Sequence, residues 1–154
     1  MSYDTTQFEK DLNVLGVTLT KEQIDQFLKY YELLVEWNGF MNLTAITDYD
    51  EVMKKHFVDS LSLIKTYDVS KKVKVIDVGT GAGFPGLALK IAYPNLQVTL
   101  LDSLNKRINF LSLSGFSSNI SSNVTTPPIR MTMPAIINPI PNTIVILILP
   151  HIYS

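Results

Sequence analysis

VKVIDVGTGAGFPG, Val73 to Gly86, packs three local signals into one short run. Val73, Val75, Ile76 and Val78 form an apolar β-branched segment of the kind a buried parallel strand requires. Gly79-Thr80-Gly81-Ala82-Gly83 then breaks it with a glycine-dense turn, where the missing Cβ permits positive φ and lets a ligand approach the backbone. Pro85 suits the first turn of a helix, where its absent N–H is no loss, and Leu87 to Ala92 supplies the apolar helix behind it. Strand, tight turn and helix in this order describe a cofactor loop of the nucleotide-binding kind.

Two cofactor classes compete for that loop. Gly81-Ala82-Gly83-Phe84-Pro85-Gly86 is formally G-x-G-x-x-G, the dinucleotide fingerprint, which is weak on its own. A diphosphate would rest on backbone N–H groups and a helix N-terminus. Asp77, two residues before the first glycine, would repel it. S-adenosylmethionine carries a sulfonium and an ammonium and no phosphate, so a carboxylate at the strand end suits it. Asp102 closes a second apolar run, Val98 to Leu101, about 20 residues on, where an acid reaches ribose hydroxyls in either class. A small NAD-type dehydrogenase remains the third-ranked reading, disfavoured by Asp77 and by the absence of a Tyr/Lys or His dyad.

Through Asp77-Val-Gly-Thr-Gly-Ala-Gly-Phe-Pro-Gly86, Leu100-Leu-Asp-Ser-Leu-Asn-Lys-Arg107 and Phe110-Leu111, the chain resembles the bacterial 16S ribosomal RNA guanine-N7 methyltransferase family, also called glucose-inhibited division protein B. Trp37-Asn38 with Asn42-Leu-Thr44, and His56-Phe-Val-Asp-Ser60, are similar to further signatures of that family in the same order, and the similarity covers residues 8–113. It implies a Rossmann-like class I methyltransferase sheet with an N-terminal helical extension. It further implies S-adenosyl-L-methionine as cofactor and 16S ribosomal RNA, or the small ribosomal subunit, as partner. Asp77 would lie toward the methionine end, with Gly79, Gly81, Gly83 and Phe84 forming the cradle and Asp102 on the ribose. Asn42, His56, Lys106 and Arg107 would face RNA. From the residues alone, His56 and Asp59 also read as a surface pair one helical turn apart, and Lys106 and Arg107 as solvated helix charges.

Guanine N7 presents a lone pair and no proton, so the implied reaction requires no general base, only alignment of reactants. No catalytic residue is therefore assigned beyond positioning, and no Ser/His/Asp or paired-carboxylate constellation is visible. Metal chemistry is not expected: there is no cysteine, and no carboxylates or histidines fall at ligand spacing. With 13 Lys and Arg against 14 Asp and Glu, the net charge of −1 advertises no nucleic-acid partner, so an RNA site must be a local patch. The polar, acidic start MSYDTTQFEKD is not a signal peptide, and no apolar run reaches the ~20 residues of a membrane span. A cytoplasmic monomer is the expectation.

In chain order, Thr6-x-x-Glu9 reads as a capping box for a helix that Gly16 stops. Thr20-x-x-Gln23 opens a second, with Ile24, Phe27, Leu28, Tyr31, Leu34 and Val35 on one face, ending about Trp37. Trp37 to Thr47 is expected as loop, with Gly39 and Asn42 as breakers, and Asp48-x-x-Glu51 begins a third helix to about Lys65. Residues 1–69 are thus read as the helical extension and 70–113 as the first βαβα part of the cofactor domain, with helix Gly86–Ala92, strand Gln97–Leu101 and helix Leu104–Leu113 after the central strand. Residues 114–154 change character: no acid, one basic residue (Arg130) and six of the eight prolines. Ile144 to Leu149 is their one strand-like run. The expectation is that the domain is incomplete at its C-terminus and that this Pro/Ser/Ile-rich tail is not native family sequence: a shifted frame, a truncation scar or a misread stretch. Roughly 80 residues after Val73 hold about three βα units at ~30 residues each, half of what the implied fold needs. The alternative function is accordingly an inactive fragment or a module that binds S-adenosylmethionine or RNA.

Overall fold

The structure, a computed structural model, describes residues 3–69, 73–102, 104–113 and 143–147. It is an α/β fold with a parallel sheet. Among the described residues the sheet has three strands, β1 (Lys74–Val78), β2 (Gln97–Leu101) and β3 (Thr143–Leu147), in the order β2-β1-β3. Lys74 pairs with Gln97 on one side and Thr143 on the other, and Val78 with Leu101 and Leu147. The central strand is the one that runs into the glycine turn. Chain order reverses beside it, and in open α/β sheets ligands bind outside the carboxyl ends of strands at that kind of reversal.

Alternation along β1 and β2 sends Val75, Asp77, Val98 and Leu100 to one buried face and leaves Lys74 and Gln97 exposed. Helix α5 (Gly86–Ala92) covers the buried face with Leu87, Ala88, Leu89 and Ile91, each at most 3 % exposed. Burial of each of these leucine and isoleucine side chains is worth about 1.5–3 kcal/mol. Helix α6 (Asn105–Leu113) brings Phe110 and Leu111 to the same core.

The N-terminal helices join that core rather than forming their own. Helix α1 (Thr6–Leu15) contributes Phe8 and Leu12, α2 (Lys21–Met41) contributes Phe27, Tyr30 and Leu34, and Phe57 stacks on Tyr30 and lies tilted against Phe27. The third helix opens at Asp48, whose carboxylate accepts from Glu51 N, but it is not regular. Helix α3 (Tyr49–Val52) widens into a π-helical segment, Met53–Val58, resumes as α4 (Asp59–Leu61) and tightens to a 3₁₀ turn, Ser62–Lys65.

Two local expectations change. Helix α1 starts at Thr6 with Thr5 as cap, so the Thr6–Glu9 box does not form; Asp4 accepts from Thr6 N, and Thr5 Oγ1 donates to Glu9. Helix α2 does not stop at Trp37 but runs through Gly39 to Met41, where Asn42 takes φ 50 and ends it. Trp37 packs on Phe110 at 5.7 Å, and that contact holds the extra turn in place. The strand-like run of the tail does form a strand, at 143–147, in parallel register with β1. Residues 114–142 and 148–154, and the rest of the tail expectation with them, lie outside the described residues.

Candidate functional site

The bend after β1 is held from below by two carboxylates. Asp77 Oδ2 accepts from Thr80 Oγ1 at 2.8 Å and from Gly86 N at 2.9 Å, so it ties the strand end to the first turn of α5. Asp77 is fully buried, and its Oδ1 has no hydrogen-bond partner among the described residues. Burial lifts its pKa from 3.8 to about 6, the two hydrogen bonds pulling it down and the Asp102 charge pushing it up. Asp102 Oδ2 accepts from Gly81 N at 2.9 Å, and its Oδ1 from Leu104 N at 2.9 Å, which starts α6. Gly79 N and Thr80 N both donate to Leu101 O, fastening the bend to β2.

Tyr30 supports the same bend from α2. Its hydroxyl donates to Ala82 O at 2.6 Å, and burial, with the Asp77 charge second, pushes its pKa well above the usual value. The glycines then divide by what surrounds them. A Cβ on Gly83 (φ 102) would sit 2.7 Å from the Tyr30 hydroxyl and 2.9 Å from Leu111 Cδ2. One on Gly86 would sit 2.4 Å from Leu100 Cδ2 and 2.8 Å from Asp77 Oδ2. Gly81 (φ 60) has only Gly79 O nearby, at 3.9 Å. Gly83 and Gly86 are therefore packing glycines, while Gly81, with open space at its Cβ position, and Gly79, which is exposed, form the open side of the bend.

Phe84 is half-buried. Its ring stacks on Tyr30 at 5.4 Å and on the His56 imidazole at 4.5 Å, nearly parallel at 11°. His56 Nε2 lies 2.8 Å from Thr44 Oγ1. Burial holds its pKa below the usual value, against a smaller upward pull from Asp59. The imidazole is thus a neutral stacked ring near pH 7. The structure does not bring all four candidate RNA residues together. Asn42 is exposed at the end of α2, and Lys106 Nζ donates to the neighbouring Met41 O at 3.3 Å, so these two share one patch. Arg107 instead pairs with Asp102 at 3.4 Å, and His56 belongs to the Phe84 side.

Sequence reasoning missed Tyr30, Thr80 and Thr44 as site residues. Tyr30 lies one helical turn past Phe27 on the apolar stripe of α2, where an aromatic reads as core; its polar tip was the available signal, since a buried tyrosine O–H needs a partner. Thr80 sits three residues after Asp77, within reach of a side-chain bond, and Thr44 ends the Asn42-Leu-Thr44 signature.

The sequence model of the GidB family, rRNA small subunit methyltransferase G, matches residues 23–125. The chain belongs to that family. Ribosomal RNA small subunit methyltransferase G of Lachnoclostridium phytofermentans is 62% identical over 109 residues, covering 71% of this chain and 45% of that protein. The proteins of the same name from Lysinibacillus sphaericus and Bacillus cereus are 57% and 55% identical over 106 residues, each match covering 69% of this chain and 44% of the relative. The chain thus spans about half the length of the curated relatives it matches. The family match takes in the whole glycine bend, Asp102 and all four candidate RNA residues. Among the described residues no cluster of three His, Cys, Asp or Glu is placed to hold a metal, and no helix is long and apolar enough to cross a membrane.

Proposed function

We propose that the chain binds S-adenosylmethionine above the Gly79–Gly81 bend and serves methyl transfer to guanine N7 of small-subunit 16S ribosomal RNA. The observation that carries this reading is the Asp77 staple. In a dinucleotide site the first N–H groups of the helix receive the diphosphate; here Gly86 N at the head of α5 already donates to a carboxylate of the chain itself. With a pKa of about 6 that carboxylate is mostly ionised near pH 7 and favours a cation over an anion above the bend. It has no solvent contact, so it would act through its charge rather than as a direct ligand. Gly79 and Gly81, open on their outer side, would admit the cofactor backbone-on. Asp102, almost wholly covered with its oxygens on Gly81 N, Leu104 N and Arg107, would hold the edge of the bend beside the ribose rather than ligate it directly.

When bound, the cofactor supplies an electrophilic methyl group on a sulfonium. The chain's part is to hold the bend rigid and to orient the base, since N7 has no proton to remove. His56, half-buried and stacked on Phe84, would take a stacking role, since the reaction has no proton to move. Asn42 and Lys106 would contact the RNA backbone, with Arg107 positioning Asp102. A ribosomal substrate would place the protein in the cytoplasm.

Calorimetric titration with S-adenosylmethionine and with NADH tests the binding step: heat with the first and none with the second is expected, and the reverse overturns the reading. Transfer of a radiolabelled methyl group to isolated small ribosomal subunits, mapped to a guanine N7, tests turnover. Binding without transfer would leave a binding module, the reading that the half-length match to the relatives favours next.

A further inference from the structure

Separate parts of the chain converge on one cleft that the proposed chemistry has not yet used. His56, Asp59 and Ser60 from the π-helical segment and α4, Phe84 and Pro85 from the end of the glycine bend, and Ile146 from β3 line a cleft of about 380 Å³. It lies beside the strand-order reversal between β1 and β3, within the volume range of small-ligand sites. One wall carries the imidazole of His56, whose one face stacks on Phe84, leaving the other for a ligand, and whose Nε2 lies against Thr44 Oγ1. The serine hydroxyls at its rim donate to backbone, Ser60 to His56 O and Ser62 to Asp59 O. Lys55, also at the rim, is paired with Glu51. Asp59 differs from them all: it is exposed, and among the described residues no hydrogen bond or ion pair reaches its carboxylate.

A flat aromatic wall beside an uncommitted carboxylate matches one kind of planar ligand. A carboxylate only accepts hydrogen bonds, so the ring must present N–H donors side by side. Guanine does so on its Watson–Crick edge, through N1–H and the N2 amino group. Adenine presents an acceptor at N1, and cytosine and uracil pair their donors with acceptors. Enzymes that act on an extruded base read that edge by hydrogen bonds while stacking the ring. We infer that this cleft receives the target guanine, with Asp59 accepting from N1–H and N2–H and the outer face of His56, backed by Phe84, as the stacking surface. Gripping the Watson–Crick edge leaves N7, on the opposite Hoogsteen edge, free to be modified. The inference rests on the methyl-transfer reading for its biological sense and adds the residue that selects the base.

The test uses GMP, IMP and AMP as probes in calorimetric titrations of the whole chain. IMP keeps N1–H and lacks the N2 amino group; AMP lacks both donors. GMP is expected to bind roughly 10-fold or more tightly than either, the discrimination of one bidentate contact. Asp59→Asn should bring GMP down to the AMP level while leaving AMP unchanged, and Phe84→Leu should weaken all three together. Circular dichroism confirms that each variant is folded; Asp59 is exposed, so its variant meets no packing obstacle. Equal binding of the three nucleotides, or unchanged GMP preference in Asp59→Asn, overturns the assignment. A chain that binds S-adenosylmethionine yet treats the nucleotides alike loses this inference and keeps the proposed function. One that prefers GMP through Asp59 yet binds no S-adenosylmethionine supports this inference and loses the other.

Discussion

The glycine bend and the patch formed by Asn42 and Lys106 lie on the same molecule but are held in opposite ways. At the bend, nearly every polar group serves the fold: Asp77, Asp102, Tyr30 and Thr80 all bond to bend backbone or to one another. At the patch, one ammonium touches one carbonyl, and both side chains are otherwise exposed. A ligand at the bend therefore meets a preorganised backbone with two open glycines, whereas RNA at the patch meets exposed charge held by one bond. Substitutions at the bend should move stability first, and substitutions at the patch binding first.

The largest effect separates glycines within the bend itself. Gly83→Ala forces a Cβ onto the Tyr30 hydroxyl and Leu111 at φ 102, and Gly86→Ala drives one onto Leu100 and Asp77. Each is expected to destabilise by roughly 2–5 kcal/mol from overpacking and backbone strain, read as a fall in melting temperature. Gly81→Ala meets open space, so only its φ of 60 counts, about 1 kcal/mol. Its larger loss should be in S-adenosylmethionine affinity. Equal melting temperatures for Gly81→Ala and Gly83→Ala would erase the distinction between open and packing glycines.

Asp77 gives the next effect, and its sign depends on pH. Its pKa is raised in the fold, from 3.8 to about 6, so the folded state prefers it protonated. That contribution is full below about pH 4 and is lost as pH rises through about 6, at most about 3 kcal/mol. Denaturation of the wild type and of Asp77→Asn across pH 4 to 7 should show the wild type losing ground to the variant as pH rises. S-adenosylmethionine affinity should run the other way, rising with pH through about 6 in the wild type and staying flat in the variant. Parallel pH profiles of affinity would mean the carboxylate only staples the bend.

What the sequence disclosed and what it hid follow from the reach of each signal. The strand, turn and helix from Lys74 to Ala92, and the strand Gln97–Leu101, are written in β-branched runs and glycines a few residues apart, and the structure keeps those boundaries. The Thr20–Gln23 capping box forms for the same reason. The end of α2 was obscured because Gly39 and Asn42 are both breakers by composition, whereas only Asn42 adopts a positive φ. The π-helical segment that turns His56 toward Phe84 has no local signature at all. The pairings that define the site, Tyr30 with Ala82 and Gly81 with Asp102, span 52 and 21 positions and become visible only when the chain is folded. Among the candidate site residues, sequence pattern identified types and neighbourhoods; it could not tell that Arg107 leans on Asp102 while Lys106 reaches α2.

Tyr30→Phe measures one of those hidden pairings. Removing the hydroxyl leaves the buried Ala82 carbonyl without this donor, a loss of about 1–2 kcal/mol by thermal or urea denaturation. The ring itself stays packed against Phe57 and Phe84.

Lys106→Ala is the smallest effect on the fold and the sharpest test of the patch. The side chain is exposed and donates one bond to the last residue of α2, so stability should change by no more than about 0.5 kcal/mol. Its ammonium has three donors, two of them left over for phosphate oxygens. If it neutralises one phosphate, the slope of log affinity against log salt for a small-subunit RNA fragment should fall by about one when it is removed. Arg107→Ala should behave differently, because its partner carboxylate is almost wholly buried (2 % exposed side chain) and keeps its bonds to Gly81 and Leu104. Loss of that guanidinium leaves a buried charge under-compensated and should lower the melting temperature more than Lys106→Ala does. A Lys106→Ala variant that melts lower yet binds RNA with an unchanged salt slope would make this lysine a cap of α2, and the contrast between bend and patch would then rest on Asn42 alone.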